Sequence, residues 1–157
     1  MHITKEGGDD MGHWEEAFDE LRKVKLERQG ELEQVIYALK VSSKNLNTIH
    51  NEKIDIDSSL KRLKAKERRL LKIHKRSEED EKEFKKIIMT KKQLKKRRRS
   101  LNRAERRENL VNQRLEVRKK DVRNSIISVE RHYVDNLVES FGEENAIRIL
   151  RSEYYYG

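Results

Sequence analysis

The chain has no proline and no cysteine, and between Gly30 and Gly142 it runs 111 residues without a glycine. Proline and glycine are the residues that most reliably end or kink a helix, so nothing in that stretch interrupts one. The lack of cysteine excludes disulfides and thiolate metal sites and suits a reducing compartment. Aromatic residues make up only 6% of the chain. No apolar run approaches the ~20 residues of a membrane-spanning helix, and the opening residues lack the apolar stretch of a signal peptide. Gly7, Gly8, Asp9, Asp10 and Gly12 instead suggest a flexible leader over 1–12, with Met11 as an alternative start to Met1.

What the chain has in quantity is charge, at 43% of residues, with 38 Lys and Arg against 29 Asp and Glu. Leu, Ile, Val and Phe together number 39 of 157, above the ~20% below which disorder is expected. That is too little for a globular core and enough for a seam between two helices.

The apolar residues carry a heptad spacing. With Leu32 at position a, Leu39, Leu46 and Leu60 also fall at a, and Val35, Ile49, Ile56, Leu63 and Leu70 fall at d. Run backwards, the frame catches Phe18 and Met11 at a and Trp14 and Leu21 at d. Lys25, Arg28, Ser42, Lys53 and Glu67 break it. A spacing of 3.5 residues sustained this far predicts helices wound on one another. The frame fails at 74–81, where Ser77-Glu78-Glu79-Asp80 has the composition of a helix start. A second stripe follows through Ile87, Leu94, Leu101, Ala104, Val111, Leu115, Val122, Ile126, Val129, Tyr133, Leu137 and Phe141. Gly142 suits a left-handed helix stop.

The expected fold is all-α: a long antiparallel two-helix coiled-coil hairpin with arms at about 13–76 and 82–141, a turn at 77–81, and a short C-terminal helix within 142–157. At 1.5 Å per residue such a rod would be roughly 90–100 Å long. The register would set Ile49 beside Leu110 and Val111, and Leu32 beside Ile126 and Ile127. One unbroken helix in a parallel dimer is the competing architecture.

Charge is segregated along the chain. Residues 61–76 hold nine Lys or Arg against Glu67, and 85–107 hold twelve against Glu105. The acids at 78–83 lie between them, and the two chain ends are acidic. The like-charge pairs Lys92/Lys96, Lys95/Arg99 and Arg99/Arg103 each cost a few tenths of a kcal/mol. A polyanionic partner surface would relieve them, whether nucleic acid, acidic lipid or acidic protein; the alternative is a solvated, salt-screened helix face. No aromatic residue lies between Phe84 and Tyr133, so base stacking has no platform. Non-specific phosphate binding stays open as a second reading, and a scaffold coiled coil in a larger assembly as a third.

Catalytic arrangements are missing. There is no phosphate-binding glycine loop and no Ser–His–Asp set. His2, His13, His50, His74 and His132 are scattered; His74 and Glu78 have ligand spacing, but a metal site needs three or four converging groups. The expectation is a non-enzyme with no cofactor, no metal and no small-molecule substrate. Trp14 and Phe18 share a face, and the terminal Tyr154-Tyr155-Tyr156 suits an interface.

Several short patches carry a family likeness. Leu21-Arg22-Lys23-Val24-Lys25 with Glu31, Leu32-Glu33-Gln34-Val35 near Leu39-Lys40, Ile126-Ile127 followed by Arg131, Tyr133 and Val134, and Ser152-Glu153-Tyr154-Tyr155 resemble stretches of the type III secretion ATPase central-stalk family, the FliJ, YscO and InvI type. The glycine-containing leader and the Gly142 break have no counterpart in that pattern. The resemblance implies a cytoplasmic, non-catalytic helical hairpin, shaped like the shaft of a rotary ATPase and working at the cytoplasmic face of the inner membrane. Its termini would engage a hexameric secretion ATPase through Trp14, Phe18, Tyr133, Leu137, Phe141, Tyr154 and Tyr155. Its turn would meet the export-gate protein through Lys72, Lys75, Arg76, Lys91, Lys92, Lys95, Lys96, Arg97, Arg98 and Arg99. Secretion chaperones are a further expected partner.

Overall fold

The computed structural model describes the backbone of residues 3–156 and the side chains of residue 16 and of 18–152. The chain forms three helices, α1 (Ile3–Leu71), α2 (Glu78–Phe141) and α3 (Glu143–Tyr156), with no strand among the described residues. The two long helices pack against each other. Contacts divide the molecule into two units: one of residues 1–37 and 116–157, the other of 38–115.

Both ends of α1 differ from expectation. It begins at Ile3, so Gly7, Gly8 and Gly12 lie inside the helix rather than in a leader ahead of residue 13. Each glycine weakens a helix by about 1 kcal/mol relative to alanine, but without proline none forbids it. α1 then stops at Leu71 and α2 opens at Glu78, leaving 72–77 as the connection. The turn expected at 77–81 therefore lies several residues too late.

The cause is the chemistry of Ser77. Its Oγ accepts a hydrogen bond from the Asp80 backbone N–H at 3.1 Å, and the Asp80 carboxylate accepts one from the Ser77 N–H at 3.2 Å. This reciprocal pair satisfies two otherwise orphaned donors. Glu78, Glu79, Asp80 and Glu81 form the first turn of α2, where the helix dipole favours negative charge.

At the other end of α2, Gly142 has φ +82°. Its N–H donates to the Val138 carbonyl at 2.9 Å, and its own carbonyl accepts from the Ala146 N–H at 3.0 Å. One residue thus ends α2 and starts α3, as a glycine free to adopt the left-handed region can.

Within the unit 38–115, Leu39, Ile56 and Leu70 of α1 and Ile87 and Leu101 of α2 are buried, together with Ser42. The expected a/d frame of α1 is the buried stripe. On α2 the expected stripe is likewise buried or half-buried except for Val111, 45% exposed, and Lys91, Arg98, Glu105 and Asn112, seven residues apart, are half-buried beside it.

Three residues that break the α1 frame meet this polar row. Ser42 Oγ accepts from Asn112 Nδ2 at 3.2 Å, Lys53 Nζ lies 3.3 Å from Glu105, and Glu67 lies 2.6 Å from Lys91 Nζ. As α1 numbers rise, their partners' numbers fall, so the helices run in opposite directions in this unit. Ile49 lines an open groove with Leu101, Ala104, Arg107 and Glu108, and Leu110, one of its expected neighbours, is 54% exposed.

The unit 1–37 with 116–157 buries Val35, Val122, Leu137 and Ala146. Its own frame-breakers are paired as well: Lys25 Nζ lies 2.9 Å from Glu130, and Arg28 lies 3.1 Å from Glu31, which also meets Arg118 at 3.4 Å. Ile127, expected near Leu32, is 47% exposed.

Candidate docking surfaces

The units differ in charge as much as in sequence. Residues 38–115 contain 26 Lys and Arg against 11 Asp and Glu, a net of +15, and the remaining residues net −6. Within the basic unit, the cations singled out from the sequence separate into two groups. Four are held internally. Arg76 stacks over the Phe84 ring at 4.8 Å and reaches Glu81 at 3.5 Å. Lys91 is in the seam with Glu67, Arg97 lies 3.0 Å from Glu52, and Arg98 is paired with Asp57.

The other six, Lys72, Lys75, Lys92, Lys95, Lys96 and Arg99, are exposed. Among the described residues none of them has a carboxylate within 4.0 Å. Lys72 and Lys75 are on the connection; Lys95 flanks the buried stripe of α2, and Lys92, Lys96 and Arg99 are on the side of α2 opposite that stripe. That side extends beyond the residues picked from sequence, through exposed Lys85, Arg103, Arg106 and Arg107. The signal that finds them is the step of three and four residues out of phase with the buried stripe.

The acidic unit carries an open groove of about 280 Å³, lined by Phe18, Leu21 and Leu26 of α1, Val129 and Tyr133 of α2 and Leu150 of α3. The Phe18 and Tyr133 rings lie 5.2 Å apart at 40°, and the Arg22 guanidinium lies 5.4 Å from the Phe18 ring centre. Phe18, Tyr133 and Phe141 are half-buried. Leu137 is 1% exposed and serves the core rather than a partner. The side chains of Trp14, Tyr154 and Tyr155 lie outside the described residues. Leu26, 61% exposed at the groove edge, escaped the sequence reading because it sits outside the heptad frame.

The groove is largely apolar, with Arg22 and the Lys25–Glu130 ion pair on its wall. Among the described residues no three of His, Asp and Glu gather as metal ligands, and no helix is long and apolar enough to cross a membrane. Set against known protein families, curated proteins and solved structures, the chain matches none.

Proposed function

We propose that this protein is a non-enzymatic central stalk of a type III secretion or flagellar-type export apparatus, an antiparallel two-helix coiled coil linking a hexameric ATPase to the export gate at the cytoplasmic face of the inner membrane. The observation that carries the reading is the coincidence of charge with structural unit. The unit that contains the connection is +15, and the unit that contains both chain ends is −6. A coupling element needs two chemically distinct docking regions, and two units of opposite net charge support that requirement. The groove between Phe18, Leu26 and Tyr133 supports an ATPase contact made by an apolar side chain. Lys72 and Lys75, at the connection, support a contact with an acidic face of the gate.

The test is steady-state ATP hydrolysis by a purified type III secretion ATPase from the same source, titrated with this protein while ring assembly is followed. A saturable rise in both, lost when Leu26 is replaced by Ser, supports the stalk. A flat titration with folded, helical protein overturns it.

A further inference from the structure

The outer face of α2 in the basic unit forms a continuous stripe. Lys85, Ile88, Met89, Lys92, Lys96, Arg99, Arg103, Arg106 and Leu110 follow one another in steps of three, four or fewer residues, opposite the buried Ile87 and Leu101. At 1.5 Å per residue the stripe is ~38 Å long. No acidic residue occurs from 84 to 104, and among the described residues none of its cations has a carboxylate within 4.0 Å. Three apolar side chains stand on the same face, with Ile88 45%, Met89 64% and Leu110 54% exposed. They sit toward the two ends of the cationic row.

We infer that this face lies on an anionic lipid bilayer. A row of cations in steps of three and four along one side of a helix meets a flat surface along its length, whereas a nucleic-acid duplex curves away from it. The Lys and Arg side chains pair with lipid phosphates, the Arg guanidinium groups as two-pronged donors. Ile88, Met89 and Leu110 reach the acyl boundary, as apolar residues of surface-lying helices do. Phosphate binding to a duplex leaves those three side chains unused, and the stretch offers no aromatic for stacking bases. The inference rests on the basic unit alone and does not require the stalk reading.

The experiment is co-sedimentation of the full chain, at physiological ionic strength, with phosphatidylcholine vesicles with and without phosphatidylglycerol. A random-sequence DNA duplex is titrated in parallel. The protein should sediment with the anionic vesicles only. The variant Lys92→Glu/Lys96→Glu/Arg99→Glu/Arg103→Glu should lose binding by more than about a hundredfold, since each basic residue near such a surface contributes about a fivefold gain. Because these side chains are exposed and mutually repelling, the variant keeps its helicity. Ile88→Ser/Met89→Ser should weaken binding without any change of charge.

Reversing Lys61, Arg62, Lys64 and Arg68 of α1 should weaken vesicle binding far less. An equal loss in that variant overturns the assignment to the α2 face. Duplex binding without vesicle binding overturns the lipid and gives the face to nucleic acid. Absence of vesicle binding by the folded wild-type protein overturns the inference outright, whatever the ATPase titration shows.

Discussion

Lys91 Nζ stands 2.6 Å from the Glu67 carboxylate, and the two side chains are only 17% and 23% exposed, so this ion pair lies in the helix seam. Its neighbours in the two stripes are Leu70, Ile87 and Leu94. Removing one partner strands the other in a partly dry site. Lys91→Leu should lower stability by about 1–3 kcal/mol. Glu67→Leu/Lys91→Leu should recover that loss or exceed the wild type, because an apolar pair fits a seam without desolvating charge. Urea unfolding followed by far-UV circular dichroism checks both. A double variant as unstable as the single one would show that the pair itself holds the helices together.

Ser42 and Asn112 make a different polar contact, a neutral hydrogen bond of 3.2 Å at a site where Ser42 is 2% exposed. A buried polar pair in an otherwise apolar stripe specifies which residue faces which. Ser42→Ala/Asn112→Leu should raise the unfolding midpoint while loosening that choice. Sedimentation velocity should then show more self-association than in the wild type. A strictly unchanged oligomeric state would remove the register role and leave only the stability effect.

These polar positions also mark how far the sequence alone could be read. The a/d frame of α1 was legible because Val35, Leu39, Ile56 and Leu70 are apolar at heptad spacing, and the stripe they define is the buried one. The row at 91, 98, 105 and 112 was not, because four polar residues at seam spacing look like surface unless their partners are known. Lys53 and Glu67 appeared as defects for the same reason, and each proves to be half of a cross-helix pair. The connection was displaced because the acids after Ser77 suit a turn and a helix start equally by composition. The hydrogen bonds between Ser77 and Asp80 decide for the helix start. Of the docking residues, the charge density of unit 38–115 was plain. Which cations are already paired depends on geometry across helices, which spacing along one helix does not contain.

The Ser77 cap should be measurable on its own. Ser77→Ala removes the acceptor for the Asp80 N–H and, with it, the reason for α2 to begin at Glu78. The expected loss is about 1 kcal/mol, together with faster amide exchange over the first turn of α2. Ser77→Asp keeps an acceptor and should retain most of the stability. A loss in Ser77→Asp as large as in Ser77→Ala would count against the cap.

Two glycines should respond with opposite sign. A Cβ at Gly30, inside α1, meets nothing within 4 Å, so Gly30→Ala should stabilise by about 0.5–1 kcal/mol by restricting the unfolded chain. A Cβ at Gly142 also meets nothing within 4 Å, but its φ is +82°. Gly142→Ala should destabilise by about 1–2 kcal/mol, and the loss should appear as fraying between α2 and α3. Thermal unfolding of the two variants beside the wild type reads both signs in one experiment.

The groove offers a way to separate folding from docking. Phe18 and Tyr133 are half-buried with ring centres 5.2 Å apart, so Phe18→Ala removes packing as well as any contact surface. It should lower stability, with about 0.5–1.5 kcal/mol coupled to Tyr133 in a double-mutant cycle. Leu26 lines the same groove but is 61% exposed and outside the buried stripe. Leu26→Ser should therefore leave the unfolding free energy within about 0.5 kcal/mol of wild type while abolishing the ATPase stimulation that the proposed stalk role requires. Stimulation that survives in Leu26→Ser and fails only in Phe18→Ala would mean that the groove matters for the fold alone, and the ATPase contact would have to be sought elsewhere on the acidic unit.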